Sequence, residues 1–123
     1  MREDIEIIYE NVRVEKYCTS FKEAKKMFVG NDILARSLLS RINAIQQAIV
    51  IKDIISMPFF HFHKLERNLK GYFAIDVKTR KEPWRIILQP LDEQGEPYNP
   101  CNIDEIASTV RIVGIKEVSL HYE

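Results

Sequence analysis

HFHKLERNLKGYFAIDVKTRKEPWR, residues 61–85, decides the fold. Residues 72–77 (YFAIDV) and 84–88 (WRIIL) are rich in aromatic and β-branched side chains, which suit a pleated and half-buried surface. The segment between them, Thr79 to Pro83, is polar and ends in proline, so the two runs predict a β-hairpin. Charge concentrates there too. From His63 to Arg85, Lys64, Arg67, Lys70, Lys78, Arg80, Lys81 and Arg85 stand against Glu66, Asp76 and Glu82, seven positive to three negative. The hairpin is therefore the basic part of a chain whose formal net charge is zero. After Arg85 no Lys or Arg occurs until Arg111, while Asp92, Glu93, Glu96, Asp104 and Glu105 fall in the interval, so an acidic loop follows the basic strands.

Working outward, Phe59, Phe60 and Phe62 lead into a strand at His63 and predict core packing. Ile51 to Ser56 predicts a helical turn ending before Pro58, because the position ahead of a proline disfavours helical backbone. Upstream of it, Asp32 is placed to cap the longest helix. Its Leu34, Leu38, Ile42, Ile45 and Ile49 recur at helical spacing, while Ser37, Arg41 and Gln47 point elsewhere. Ser20 and Glu23 in SFKE form a capping-box pattern for a short helix reaching Met27 or Phe28, stopped by Gly30 and Asn31. Asn11 caps a helical turn through Tyr17. Glu3 to Glu10, with Ile5, Ile7 and Tyr9 on one face, reads as a first strand lying within the sheet. Downstream, Gly95, Pro97 and Pro100 mark Pro90 to Asn102 as a loop. Ile103 to Ser108 is one turn of helix, and Val110 to Leu120 a last long strand with Val110, Ile112, Ile115 and Val118 buried around Gly114.

One strand, then helices, then three or four strands is the order of an α+β domain, with the N-terminal helices laid on one face of a mostly antiparallel sheet. A chain of 123 residues, 46% hydrophobic, closes one core, so residues 1–123 are expected to form a single domain. The longest apolar runs fall far short of the roughly 20 residues of a membrane span, and the acidic MREDIEIIYE start is unlike a signal peptide. The expectation is a cytoplasmic protein with no membrane partner. Cys18 and Cys101 have neither metal-ligand spacing nor the density of a disulfide scaffold, and read as ordinary thiols. Zero net charge argues against a domain that wraps bare nucleic acid, which carries a basic surplus.

The run HKLERNLKGYFAIDV, then PWRII, then the terminal HYE resembles the HigB toxins of the RelE/ParE superfamily, and the likeness extends from the IEIIYEN start to the tail. HigB toxins show a His-x-Leu segment, a Gly followed by an aromatic and an aliphatic strand, a Trp-Arg strand, and an Asp-Tyr-His-like end. His63, Leu65, Gly71, Trp84, Arg85 and Tyr122 match that pattern. The chain departs from it in two places. His121 precedes Tyr122 and Glu123 follows it, where many HigB proteins have Asp and His, and Arg67 and Leu69, with Lys70 just after, stand where many have Gly and Arg.

The resemblance implies a metal-independent and cofactor-free endoribonuclease, an mRNA interferase of a type II toxin–antitoxin system. It would cut mRNA on the ribosome and be neutralised by a helix-turn-helix, HigA-like antitoxin, meeting DNA only through that partner. Such a cleavage needs a base for the 2′-OH, fixed cations for the phosphorane charge, and an acid for the 5′-oxygen. The implied catalytic residues are His63, Arg85, Tyr122, Glu123 and His121, with Lys64, Arg67, Lys70, Lys78, Arg80 and Lys81 as RNA contacts. Each also has a structural alternative. His63 and His61 share a strand face, Arg85 is a ready ion-pair partner for Asp76, and the lysines suit any solvated surface. Tyr72, Phe73 and Trp84 are the aromatic platforms on which an RNA base stacks if any is exposed. A ParE-like DNA gyrase poison that cuts no RNA is the alternative function. A plain interaction domain is a third, weaker reading.

Overall fold

The computed structural model describes residues 4–120. Five strands form one sheet in the order β1-β5-β4-β3-β2: β1 Glu6–Tyr9, β2 His63–Lys64, β3 Phe73–Asp76, β4 Trp84–Leu91 and β5 Ile112–Leu120. Pairing is antiparallel except between β1 and β5, which run parallel. The predicted hairpin is β3–β4, with Phe73 opposite Leu88 and Asp76 opposite Arg85. β1 lies at an edge of the sheet rather than within it, because among the described strands only β5 pairs with it. Pro90 belongs to β4 and not to the following loop. Both Pro90 and Leu91 are buried there, and the loop begins at Asp92. β5 starts at Ile112, two residues later than expected.

The helices precede the hairpin. They are α1 Val12–Thr19, α2 Phe21–Met27, α3 Asp32–Gln47 and α4 Ile51–Ile55, with α5 Ile103–Ile106 between β4 and β5. Asn11 and Ser20 cap α1 and α2 as expected, their side-chain oxygens accepting from the amides of Val14 and Glu23. The cap of α3 is Asn31, not Asp32. Asn31 Oδ1 accepts from the Leu34 amide at 3.1 Å, which makes Asp32 the first helical residue and places its charge at the positive end of the helix dipole. Leu34, Leu38, Ile42 and Ile45 form the buried stripe of α3. Ile49 falls off that stripe because the helix ends at Gln47. Ala48 is already extended there, its carbonyl accepting from Ile5 N, and Ile49 is 37% exposed.

The two faces of the sheet differ. Phe73, Ile75 and Val77, Ile86 and Leu88, and Val113, Ile115 and Val118 turn toward the helices and merge with the α3 stripe in one core. The alternate residues form a thinner layer in which Leu65, Ala74 and Ile87 are buried under Tyr72 and under Leu69 of a short 3-10 turn, Arg67–Leu69. β5 keeps Val118 on the core side through a bulge: Ile86 faces Val118 and Ile87 faces Glu117, but Leu88 faces Ile115. The extra residue, Lys116, turns with Glu117 to the open face. Of the phenylalanines before β2, Phe60 is fully buried and Phe62 stacks on Phe73 at 4.9 Å, as core packing requires. Phe59 departs from that expectation at 53% exposure.

Candidate active site

The site lies at one end of the open face, where β3 turns into β4. Paired residues share a face, so Asp76, Arg85 and Ser119 form one row across the strands, and His63, Ala74, Ile87 and Glu117 the next. His61 precedes β2 in a left-handed conformation (φ 49°) that closes the short turn Pro58–Phe60. That conformation brings its ring to 5.1 Å from the His63 ring. His61 Nδ1 meets Arg80 Nη1 at 2.8 Å, so the imidazole accepts there, and the carbonyl of His61 takes the Nδ1 proton of His63 at 2.9 Å. With Nδ1 so occupied, His63 leaves Nε2 as its free ring nitrogen. Burial first, and the Arg80 cation second, push the His61 pKa below the usual histidine value.

Two arginines hold the turn from inside. Arg85 is only 5% exposed, its Nε 3.2 Å from Asp76 Oδ1 but out of line for a hydrogen bond. Its Nη1 donates to the carbonyls of Glu82 and Trp84 and its Nη2 to that of Arg80. Arg41 crosses from α3, Nε donating to the Asp76 carbonyl at 3.1 Å and Nη2 to the Lys78 carbonyl at 2.8 Å, with its guanidinium over the rings of Phe59 and Phe60. Five carbonyls of the turn are thereby bound to two cations, and Arg80 is presented against His61. Arg85, expected at the phosphate, instead takes the structural alternative. Its donors serve the turn, and Asp76 is its partner.

The basic residues separate. Lys78, Arg80 and Lys81 sit in the β3–β4 turn beside the histidines, whereas Lys64, Arg67 and Lys70 surround the β2–β3 connection at the opposite end of β3. All but Lys78, which is half-buried, are exposed. Of the aromatic platforms, Phe73 is buried in the core, and Trp84 stands edge-on to Phe28 on the helix side. Tyr72 is the one on the open face, half-buried beside Lys116. His121, Tyr122 and Glu123 lie outside the described residues; the last described residue of β5, Leu120, pairs with Trp84. Sequence reasoning missed His61 as an Arg80 partner and Arg41 altogether. The HxH spacing was a signal for the first, but nothing in the sequence signals an arginine bound to backbone carbonyls more than thirty residues away.

The backbone can be placed among known ones. The structure of the YoeB–YefM complex from Staphylococcus aureus aligns over 96% of this chain and 98% of its own, with a TM-score of 0.51 and 15% sequence identity. The two chains share one fold, an α+β arrangement with helices on one face of a five-stranded sheet. A YoeB/ParE toxin from Agrobacterium tumefaciens aligns over 96% and 100%, with a TM-score of 0.48 and 9% identity. The sequence itself matches no family model and no curated protein. Among the described residues no group of three or more His, Cys, Asp or Glu is placed to hold a metal ion, and no helix is long and apolar enough to cross a membrane. The two thiols are free. Burial pushes the Cys18 thiol up to about 12, which keeps it protonated and unreactive.

Proposed function

We propose that the chain is the toxin of a type II toxin–antitoxin pair and acts in the cytoplasm as a HigB-like, ribosome-dependent mRNA endoribonuclease. The observation that carries the reading is the His61–His63–Arg80 group at one end of the open sheet face, with one imidazole nitrogen of His63 left free. His63 Nε2 is placed to take the 2′-OH proton, and Arg80, Lys78 and Lys81 are near enough in the chain to meet phosphate charge. Arg85 acts one step back, by fixing the carbonyls of the turn that carries them. In this reading Tyr122 is the further proton-transfer group and Glu123 and His121 its neighbours, as the HigB resemblance implies. The antitoxin is a helix-turn-helix, HigA-like protein.

Primer extension on cellular mRNA after induced expression tests the reading, since cuts in phase with codons arise only from cleavage on the ribosome. His63→Ala should abolish them, and deletion of Tyr122 and Glu123 should lower cleavage by about a hundredfold, the scale of a lost general acid or base. Growth arrest without any cut, accompanied by inhibited DNA gyrase, would replace the reading with the gyrase-poison alternative.

A further inference from the structure

Away from the histidines the open face carries a second feature, a cleft of about 240 Å³. Gly114 and Leu91 form its floor, Ile8 and Gly95 one wall, and Tyr72 with Lys116 the other. The floor is bare because residue 114 has no side chain. A Cβ there would stand 3.2 Å from Leu91 Cδ1 and 3.8 Å from the Ile8 carbonyl oxygen. The opposite wall is held from below. Tyr72 N donates to the Leu69 carbonyl, Leu65 N donates to the Tyr72 carbonyl, and the ring covers Leu65, Ala74 and Ile87. The β5 bulge adds the charge by turning Lys116 onto the open face, with its ammonium 5.6 Å from the Tyr72 ring. Gln89, opposite Gly114 in the register, brings an amide to the same cleft.

We infer that this cleft takes one base of single-stranded RNA, stacked against Tyr72, with Gln89 at the base edge and Lys116 at a flanking phosphate. Four observations support an RNA base as the occupant. The volume is below the range of about 300–1,000 Å³ that suits a drug-sized molecule, which leaves a single ring system. One wall is an aromatic face beside a cation, the pairing that holds unpaired bases without regard to sequence. Exposed Lys64, Arg67 and Lys70 lie just before Tyr72 in the chain and supply positive charge at this end of the sheet. Finally, Gln89 lies four residues along β4 from Arg85, about 13 Å. A strand crossing the open face therefore passes both the cleft and the histidine group. The inference rests on the RNA-cleaving reading above and adds to it a place where a nucleotide remote from the scissile bond is held.

The test is a titration of isotope-labelled protein with short oligoadenylate and oligouridylate, followed by NMR. Saturable shifts are expected at Tyr72, Gln89, Gly114 and Lys116. Tyr72→Leu keeps the apolar cover over Ile87 but removes the stacking face, and should weaken binding by about tenfold or more, while Tyr72→Phe retains it. Lys116→Gln should reduce the slope of log affinity against log salt by about one phosphate's share. Thermal unfolding of each variant shows that it is folded. Wild-type affinity in Tyr72→Leu, an unchanged salt slope in Lys116→Gln, shifts confined to other residues, or no saturable binding would each overturn the inference. Failure of the two readings is separable. Wild-type protein that binds through Tyr72 yet cuts no mRNA refutes cleavage alone, and Tyr72→Leu that binds and cuts like wild type refutes the cleft alone.

Discussion

Removing the Arg85 guanidinium would strand the carboxylate of Asp76, which is only 1% exposed, and would free the carbonyls of Arg80, Glu82 and Trp84 together. Breaking one side of a buried pair costs far more than the pair contributes, because the remaining charge stays desolvated. Arg85→Ala should therefore lower stability by about 3–5 kcal/mol, measured by urea unfolding. Loss of activity with undiminished stability would instead return Arg85 to the phosphate. His61 makes a second prediction. Its folded-state pKa is depressed, by burial first and by Arg80 second, so the folded protein prefers the neutral ring. As pH falls through about 6.5 the unfolded chain binds a proton that the folded chain resists, so stability falls and then levels once both are protonated. Melting temperatures of wild type and His61→Asn should converge on acidification, and Arg80→Ala should raise the His61 pKa toward its usual value in an NMR titration. Part of this site was legible in the chain. The HxH and Trp-Arg residues, singled out by spacing, fall together at the β3–β4 end of the sheet. Whether Arg85 faces phosphate or Asp76 was not legible, because it depends on which residue stands across the strand.

At the scale of an element, α3 shows what periodicity can and cannot say. Leu38 is fully buried at the centre of the stripe, and Leu38→Ala should cost about 2–5 kcal/mol through the cavity it leaves. Ile49→Ala, one apparent turn beyond Ile45, should cost under about 0.5 kcal/mol, since that side chain is off the helix. Thermal or urea unfolding of the two variants checks both. The spacing 34, 38, 42, 45, 49 fits a helix throughout, so the pattern gave no warning that the helix stops at Gln47. What stops it is tertiary, the pairing of the Ala48 carbonyl with Ile5 N. The expectation of Asp32 as the cap failed for a related reason. Both are good caps, and Asn31→Ala should cost about 1 kcal/mol while Asp32→Ala loses only a dipole contact and an exposed pair with Lys25.

Across the whole molecule, the α+β class and the helices on one face followed from the order of runs, since strand-rich segments after helix-rich ones leave few architectures. The place of β1 at the edge did not, because the strand is short and its alternation looks the same in either position. Nor did the separation of the basic residues. A run of seven cations close in sequence becomes two groups once β3 is extended between them. Because β5 stands between β1 and β4, a chain ending at Thr109 should lose more than its last strand. β1 would have no partner and β4 one bare edge, so near-ultraviolet circular dichroism should show no cooperative melting for that fragment.

The parallel pairing of Glu6 with Ile112 also sets an order in time. During synthesis β1 leaves the ribosome before any other described strand, yet the strand it must join emerges after every other described element. A register set by contacts so distant in sequence forms late and slowly. Ile5, Ile7 and the cores of the early helices are exposed to chaperones and proteases for that interval. Any partner that meets the chain during translation therefore meets β1 and the helices before the sheet is complete.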